Sequence, residues 1–261
     1  MSRLQKLFQS EQLIVLSFFI SVCLIIGIIN PGSFFTANTL FDLLKNSTVP
    51  GILALSVLII MIYGGGDLSF SAIGAFSSYV TIQLINTIAP DAPLVLVFLI
   101  CILFGAALGS INALLVSYTD IPILVVTLGT STTIYGFLLF FIDNRIIMNL
   151  PASLAAFSRN YLATVRTDIG VSNLHVTVLI LAFIALLIGV LFKYMKAGRC
   201  IYATGGGGRD LAARVGIHVK RLDLIVFSTS GALAATAGLC NAAMFRYGNP
   251  VAFRGDELDI I

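Results

Sequence analysis

The residues best suited to chemistry in this sequence lie in the stretch Gly64-Gly65-Gly66-Asp67-Leu68-Ser69. Asp67 is the only formally charged residue between Lys45 and Asp91, so its carboxylate stands in an otherwise uncharged part of the chain. Glycines adopt backbone conformations that are closed to other residues, and Asp or Ser at a helix start accepts hydrogen bonds from free backbone N–H groups. Two uses of Asp67 are therefore open: it caps a helix and holds a broken helix in shape, or it contacts a polar substrate directly.

A second group of polar residues lies inside long apolar stretches. In such a setting hydroxyl groups often donate to carbonyl groups of their own helix, but they can also line a conduit for a hydroxylated solute. The apolar stretches between residues 47 and 192 contain no Lys, Arg or Glu, so a relay of ionisable groups for ions or protons is not favoured. The group comprises Asn112, Thr127, Thr130, Ser131, Thr132 and Thr133.

Other kinds of site find no support in the sequence. The glycine run 205–208 does not follow a strand of a βαβ unit, so it does not predict a dinucleotide site. The chain has no Gly-x4-Gly-Lys-Ser/Thr motif, and we expect no ATP hydrolysis by that machinery. His175 and His218 stand apart from other ligand types, and the 4 Cys form no Cys-x-x-Cys pair. We therefore expect no metal site, cofactor or catalytic centre.

The elements that position these residues are long apolar helices. The chain is 58% hydrophobic and 10% charged, with a mean hydropathy of +1.03, whereas soluble domains carry about 25% charged residues. Because about 20 consecutive apolar residues span a bilayer as a helix, the sequence predicts an all-α, polytopic transmembrane bundle with about seven spans. The stretches lie near 12–30, 47–64, 69–89, 93–117, 121–142, 174–192 and 223–245.

Basic residues orient this bundle. The segment 193–221 holds seven of the 15 Lys and Arg residues, and Arg3 and Lys6 precede the first apolar stretch. Because Lys and Arg collect on the cytoplasmic side, we predict a cytoplasmic N-terminus, a cytoplasmic loop at 193–222 and an outer loop at 143–173. The first stretch has no Ala-x-Ala site, so an uncleaved span is favoured over a signal peptide. The net charge of +3 is too small to suggest nucleic acid as a partner.

Small residues recur where the predicted helices would touch. Gly105-Ala-Ala-Leu-Gly109 has the spacing of a helix-packing motif, and the last apolar stretch carries a face of small residues. In lipid, helix association relies on close van der Waals contact, which small side chains permit. We therefore predict a tightly packed bundle. The small-residue face comprises Ser230, Gly231, Ala234, Ala235 and Gly238.

The basic loop 193–222 contains a short helical pattern from about Arg209 to Val215. Leu211, Ala212 and Val215 would give this helix an apolar face, and a glycine stands at each end of it, with Gly216 after the C-terminal end. A helix of this length is not stable alone, so docking in the groove of a partner protein would explain it. A plain surface turn is the alternative.

Five segments of the sequence, in chain order, match the motifs of a known transporter family. They are Asn30-Pro31 with Phe34, Thr36 and Asn38; Gly65-Gly66-Asp67-Leu68-Ser69; Ile121-Pro122 with Thr127-Leu128-Gly129; Gly198-Arg199 with Tyr202-Ala203, Gly205-Gly206, Ala212-Ala213-Arg214 and Gly216-Ile217; and Glu257-Leu258-Asp259. Together they resemble the inner-membrane permease subunits of bacterial ATP-binding-cassette (ABC) importers for ribose, xylose, galactose and related sugars.

The resemblance implies a permease of the bacterial inner membrane and not an enzyme. Its loop 193–222 would dock on a separate ABC ATPase subunit, and its outer face would receive a periplasmic or extracellular solute-binding protein. A second permease subunit, alike or different, would complete the path within the lipid. The implied coupling residues are Gly198, Arg199, Gly205, Gly206, Arg209, Leu211, Ala212, Ala213, Arg214 and Gly216, and the candidates for the path are Gly65, Gly66, Asp67, Ser69, Asn112, Thr127 and Thr130.

Within this resemblance the cargo stays open. Nucleosides, furanone autoinducers and branched-chain amino acids are alternatives to a pentose or hexose. A secondary transporter that needs no ATPase is less favoured, because the apolar stretches offer few ionisable groups.

The sequence departs from the family pattern in three places. Gly207 stands where Asn usually follows the paired glycines of the loop, which would loosen the start of the short helix. Phe70 and Ser71 replace a small pair after the Asp67 motif. The sequence ends at Ile261, where the family continues into further membrane helices. We therefore expect residues 1–261 to form a single, incomplete permease domain.

Overall fold

The computed structural model of the protein describes residues 11–30, 32, 34–119, 121–167 and 170–260. Arg3 and Lys6, on which part of the predicted orientation rests, and Pro31 of the first family motif lie outside these residues. The chain divides into two compact units. One comprises the described residues of Met1–Lys45 and Tyr161–Leu174, and the other those of Asn46–Asn160 and His175–Ile261.

The smaller unit contains helices and a hairpin. Helix α1 covers Glu11–Ile29, α2 covers Ala37–Asn46, and strands β1 and β2 cover Tyr161–Thr167 and Gly170–His175. Helix α2 begins after Thr36, whose hydroxyl oxygen accepts the N–H of Thr39 at 3.3 Å, the bond of a helix N-cap. The Ser172 hydroxyl donates to the Asp42 carboxylate at 2.9 Å and fixes the hairpin against α2. The sequence predicted no strands, since it assigned this part of 143–173 only to an outer loop.

Helices joined by loops make up most of the larger unit. Its longest helix, α11, packs most extensively against α5 and also against α3 and α4, so it forms the centre of the bundle. The helices are α3 (Thr48–Tyr63), α4 (Phe70–Ile88), α5 (Leu94–Tyr118), α6 (Ile123–Phe137, continued by a π-helical turn Leu138–Ile142), α7 (Ala152–Phe157), α8 (Thr177–Tyr194), α9 (Lys196–Gly207), α10 (Arg209–Arg214), α11 (Val219–Phe245) and α12 (Glu257–Ile260).

Each of the seven predicted apolar stretches is occupied by a helix, and four of these helices are long and apolar enough to cross a membrane alone. They are α5, α6 with its π-helical turn, α8 and α11, and a fifth candidate arises when α2 and α3 are counted as one span. Helix α4 has 19 residues but carries buried Ser and Thr side chains. It can be more polar because protein rather than lipid surrounds most of it. The structure thus supports a helical membrane protein, while seven spans remain a prediction.

Close helix packing is confirmed. A Cβ atom on Gly109 would lie 2.8 Å from the carbonyl carbon of Phe227, and one on Gly238 would lie 2.9 Å from the carbonyl carbon of Gly74. Such distances are shorter than real Cβ contacts, so only glycine lets α5 and α4 approach the backbone of α11 this closely. The small-residue face of the last apolar stretch therefore lies in the interior of the bundle, where Ser230, Ala234 and Ala235 are buried.

Candidate functional site

The segment between α3 and α4 is an ordered break in the helices. Gly64 has φ +104°, and the N–H groups of Gly64 and Gly65 donate to the carbonyl groups of Met61 and Ile60, both at 3.1 Å. This pair of bonds is the Schellman motif, which needs a left-handed residue directly after the helix. A Cβ on Gly65 would lie 2.5 Å from the side chain of Ile123, so the second glycine is required for packing against α6.

Asp67 is buried and fixes the residue in front of α4. One of its carboxylate oxygens accepts the N–H of Ser69 at 2.7 Å and the Ser69 hydroxyl at 2.6 Å. The Ser69 oxygen in turn accepts the amide of Asn112, on α5, at 2.7 Å. Asp67 is therefore not bonded to the first turn of the helix, as a simple cap would be. It holds Ser69, which immediately precedes the first turn, in a network with α5.

Helix α6 joins the same network through Thr127. The Leu68 N–H donates to the Thr127 hydroxyl oxygen at 3.2 Å, and that hydroxyl donates to the carbonyl of Leu124 at 3.2 Å. The structure thus brings together four of the residues proposed for the path. We call Asp67, Ser69, Asn112 and Thr127 the Asp67 cluster; each is at most 1% exposed.

The other threonines of α6 mostly bond their own helix. The hydroxyls of Thr130, Thr132 and Thr133 donate to carbonyl groups three or four residues earlier, at 3.1, 2.6 and 2.8 Å. Thr130 and Thr133 nevertheless line a cavity of about 620 Å³ together with Asn112, whereas Thr132 does not. The side-chain oxygen of Asn112 is buried and has no hydrogen-bond partner among the described residues. The cavity therefore combines an amide and hydroxyls with the rings of Phe76 and Phe137.

The basic loop 193–222 contains two helices, where the sequence predicted one. The glycine run does not lead into the short helix, because residues 205–207 form the last turn of α9 and only Gly208, at φ +85°, departs from helical geometry. Gly205 packs directly onto the end of α3, where a Cβ would lie 3.2 Å from the carbonyl carbon of Tyr63 and closer still to the carbonyl oxygen of Ile62. Gly207 thus ends α9 and does not loosen the start of α10.

Helix α10 matches the predicted short helix but presents a different face. Ala212 is 2% exposed and packs into the chain, whereas Leu211 and Val215 are 55% and 70% exposed. The predicted face of Leu211, Ala212 and Val215 is therefore wrong at Ala212, because this residue is needed to seat the helix. Gly216 ends the helix as expected, with φ +87°. Of the remaining predicted coupling residues, Gly198 is buried, Gly205 and Arg209 are half-buried, and Arg199, Gly206, Ala213 and Arg214 are exposed.

Sequence reasoning missed Asp223, which is fully buried in the first turns of α11. Its carboxylate accepts the Tyr63 hydroxyl at 2.6 Å, the Ser117 hydroxyl at 2.7 Å, and both terminal nitrogens of Arg209 at 2.7 and 2.6 Å. Burial lowers the pKa of the Arg209 guanidinium, but its bonds to Asp223 and the charge of that carboxylate outweigh burial and raise the pKa above its ordinary value. We call Tyr63, Ser117, Arg209 and Asp223 the Asp223 cluster.

The Glu-Leu-Asp motif contacts the start of α4, close to the end of the Asp67 motif, although the two are far apart in the chain. Glu257, from the Glu-Leu-Asp motif, accepts the Ser71 hydroxyl at 2.8 Å and the N–H of Gly255 at 2.8 Å. Ser71, noted as a departure from the family pattern, is thus the partner of Glu257. Among the described residues, no group of three or more His, Cys, Asp or Glu side chains is placed to hold a metal ion.

Comparisons with known proteins agree with the motifs. Residues 39–260 match the family described as branched-chain amino acid transport system / permease component. The D-allose transport system permease of Escherichia coli (strain K12) is 32% identical over 233 residues, covering 89% of this chain and 68% of the relative. The ribose import permease of Bacillus subtilis (strain 168) is 32% identical over 242 residues, 91% of this chain and 70% of the relative. The autoinducer 2 import permease of Enterobacter sp. (strain 638) is 30% identical over 238 residues, 89% of this chain and 64% of the relative.

No solved structure matches the chain. The family match covers most of the sequence, and the relatives are permeases of import systems, as the five motifs had indicated. Both family motifs that carry an acid, Asp67-Leu68-Ser69 and Glu257-Leu258-Asp259, lie within the matched range. The chain therefore belongs to the branched-chain amino acid transport system / permease component family of membrane transport proteins.

Proposed function

We propose that this chain is the membrane-spanning permease subunit of an ATP-driven, binding-protein-dependent importer, and that its cargo is a sugar of the pentose or hexose class. The similarity to D-allose and ribose permeases supports this class of cargo. The cavity beside Asn112 fits a small-molecule site in general, because apolar and aromatic side chains line most of it and a few polar groups complete it. The autoinducer 2 relative and the family description support a furanone or a branched-chain amino acid as the alternative cargo, and a nucleoside is a further one.

The proposed topology has seven spans, a cytoplasmic N-terminus and the loop 193–222 in the cytoplasm, in a bacterial inner membrane. Helices in all seven apolar stretches support it, and so do the seven basic residues of 193–221. In this topology α9 and α10 lie on the cytoplasmic side, and α7 lies on the outer side, where a solute-binding protein would dock. Residues 193–222 are then the coupling loop of a single permease domain.

The observation that carries the proposal is a pair of exposed apolar side chains, Leu211 on α10 and Val215 directly after it. This helix has 6 residues, too few to be stable alone, yet the chain holds it in place at Arg209 and Ala212. Leu211 and Val215 then project from a basic loop with no cover from the described residues. A helix with this geometry fits the groove of a separate ABC ATPase subunit, whose ATP-driven movement would open and close the path.

The solute path runs past the Asp67 cluster and the cavity next to it, with a second permease subunit enclosing the other side. Asn112 belongs to both, because its amide nitrogen bonds Ser69 and the residue lines the cavity. A buried acceptor without a donor is costly, so a solute hydroxyl that reaches Asn112 gains a hydrogen bond at little expense. Thr130 adds an acceptor oxygen on the same wall.

Co-purification tests the docking role. Leu211→Asp and Val215→Asp would place a charge in a packed contact, where loss of hydration costs several kcal/mol. We expect both variants to insert normally and to lose a tagged cognate ATPase on purification in detergent. Ala156→Asp, an exposed alanine of α7, is the matched control and keeps the ATPase. Normal recovery of the ATPase with both loop variants would refute the proposed docking.

A further inference from the structure

The Asp223 cluster joins the docking helix to the ends of three long helices. Tyr63 is the last residue of α3, Ser117 lies at the end of α5, Asp223 is in the first turns of α11, and Arg209 is the first residue of α10. All four bonds converge on one carboxylate that is 0% exposed. The guanidinium of Arg209 also lies over the ring of Tyr63, 5.9 Å from its centre.

We propose that the Asp223 cluster transmits movement of α10 to the membrane helices, with Arg209, Asp223 and Tyr63 as its positioning residues. The inference rests on the proposed function, since it takes an ATPase to move α10. It assigns the coupling to a side-chain linkage inside this chain, beyond the docking surface itself. Nothing in the docking contact requires Asp223 or Tyr63, because both are buried.

The linkage is strong enough to move as one body. A bidentate pair between guanidinium and carboxylate is short, directional and stronger than a neutral hydrogen bond. Because Asp223 is fully buried, pulling Arg209 away would leave its carboxylate without a counter-charge in a site closed to water, which is strongly unfavourable. A displacement of α10 is therefore passed to Asp223 and Tyr63 more easily than it is absorbed by breaking the pair.

The two ends of α10 are not packed against other parts of the bundle. Gly208 and Gly216 flank it at φ +85° and +87°, and a Cβ on either would meet nothing within 4 Å. Arg209 and the buried Ala212 hold it to the bundle, and Arg209 is the one that does so through a charged pair.

Two routes lead from the Asp223 cluster to the Asp67 cluster. Tyr63 is followed directly by the glycine segment that ends at Asp67, and Ser117 shares α5 with Asn112. Since Ser69 bonds both Asp67 and Asn112, a shift at the end of α3 or of α5 reaches the same side chains. The wall of the 620 Å³ cavity, to which Asn112 belongs, is then the part of the bundle that responds.

Labelling of a cavity residue in the assembled complex tests this linkage independently of the cargo. Thr133→Cys, with the partly exposed Cys23 and Cys200 replaced by Ala, is treated with a maleimide in the permease–ATPase complex. We expect the labelling rate to change when ATP and vanadate are added. Arg209→Gln, Asp223→Asn and Tyr63→Phe reduce that change by about tenfold, a typical strength for coupling between sites. Arg221→Gln, an exposed cation at the start of α11, leaves it intact.

The outcomes separate this inference from the proposed function. If the wild-type chain does not co-purify with the ATPase, the proposed function is refuted. An unchanged response in all three cluster variants refutes the linkage and leaves the proposed function standing. Loss of the ATPase from the Arg209→Gln complex alone would place Arg209 in the docking surface and refute transmission through it. Tyr63→Phe keeps the ion pair and removes only one hydrogen-bond donor to Asp223. If a charge variant fails to fold, the labelling response of Tyr63→Phe alone tests whether the cluster transmits the movement of α10.

Discussion

Gly105 and Gly231 face each other so closely that neither can carry a side chain. A Cβ on Gly105 would collide with the carbonyl oxygen of Gly231 and lie 2.5 Å from the Cβ of Ala235, and a Cβ on Gly231 would collide with the carbonyl oxygen of Gly105. The obstacles are backbone atoms of neighbouring helices, which cannot turn aside as a side chain can. The contact therefore sets the distance between α5 and α11, the most extensive helix pair in the bundle.

Gly105→Ala should destabilise the bundle by about 1–3 kcal/mol, the usual cost of overpacking. Gly129→Ala is the control, because Gly129 is also in a long helix but a Cβ there meets nothing within 4 Å. That change should be neutral or stabilising, by up to about 1 kcal/mol. The melting temperature of each variant is measured with a thiol-reactive dye, which reports the exposure of the buried Cys101 and Cys240 on heating. Equal melting temperatures for the two variants would contradict the packing account.

Asp67→Asn should be tolerated, because an amide oxygen can still accept both bonds from Ser69. We expect a smaller loss of stability than Asp67→Leu causes, since Asn and Asp serve about equally well as acceptors at a helix start. Asp67→Leu leaves the Ser69 N–H and hydroxyl without that acceptor inside the bundle and should cost about 1–3 kcal/mol. The same thiol assay compares them. If Asp67→Asn abolishes uptake while its stability and expression stay normal, the charge itself is functional and the structural role is insufficient.

The sequence predicted those features that repeat along the chain or depend on neighbouring residues. Apolar stretches located the helices, because their length reflects the thickness of a bilayer. Small residues marked the faces of α5 and α11 that pack closely, because close packing in lipid selects them, although they did not show that these two helices pair with each other. Gly216 was identified as the end of α10 by its position after an apolar pattern. In each case the cause lies within a few residues of the feature.

Features that depend on distant residues were not predictable. Asp223 bonds Tyr63 across 160 positions and Ser117 across 106, and no local pattern marks either partner. Helix α9 was not predicted from the sequence. Its last turn consists of glycines, and Gly205 makes a close contact with α3 that lies far away in the chain. The burial of Ala212 depends on how a six-residue helix is rotated, which its own sequence does not determine.

The proposed topology predicts that cysteines placed on α9 (196–207) and on α7 (152–157) react with a maleimide from opposite sides of the membrane. Gly206→Cys and Ala156→Cys are suitable because both positions are exposed, whereas Gly205→Cys would collide with the end of α3. Cys23 and Cys200 are replaced by Ala first, while the buried Cys101 and Cys240 can stay. In spheroplasts an impermeant maleimide should label Ala156→Cys, and Gly206→Cys only after permeabilisation. Labelling of both in intact spheroplasts would mean that the number of spans between them is wrong.

Uptake should depend on the threonines that line the 620 Å³ cavity and not on their neighbour. Thr130 and Thr133 use their hydroxyl protons on their own helix, so their oxygens keep free lone pairs that can accept a solute hydroxyl in the cavity. Thr130→Val and Thr133→Val keep the shape of the side chain and remove the acceptor. A lost hydrogen bond of about 0.5–1.5 kcal/mol corresponds to about a twofold to tenfold lower uptake at subsaturating solute. The loss is measured as uptake of radiolabelled ribose and D-allose into cells that express the whole importer.

Thr132→Val is the matched control, because Thr132 bonds Leu128 in the same way but does not line this cavity. An equal loss in Thr132→Val would show that helix stability, and not contact with the solute, accounts for the effect.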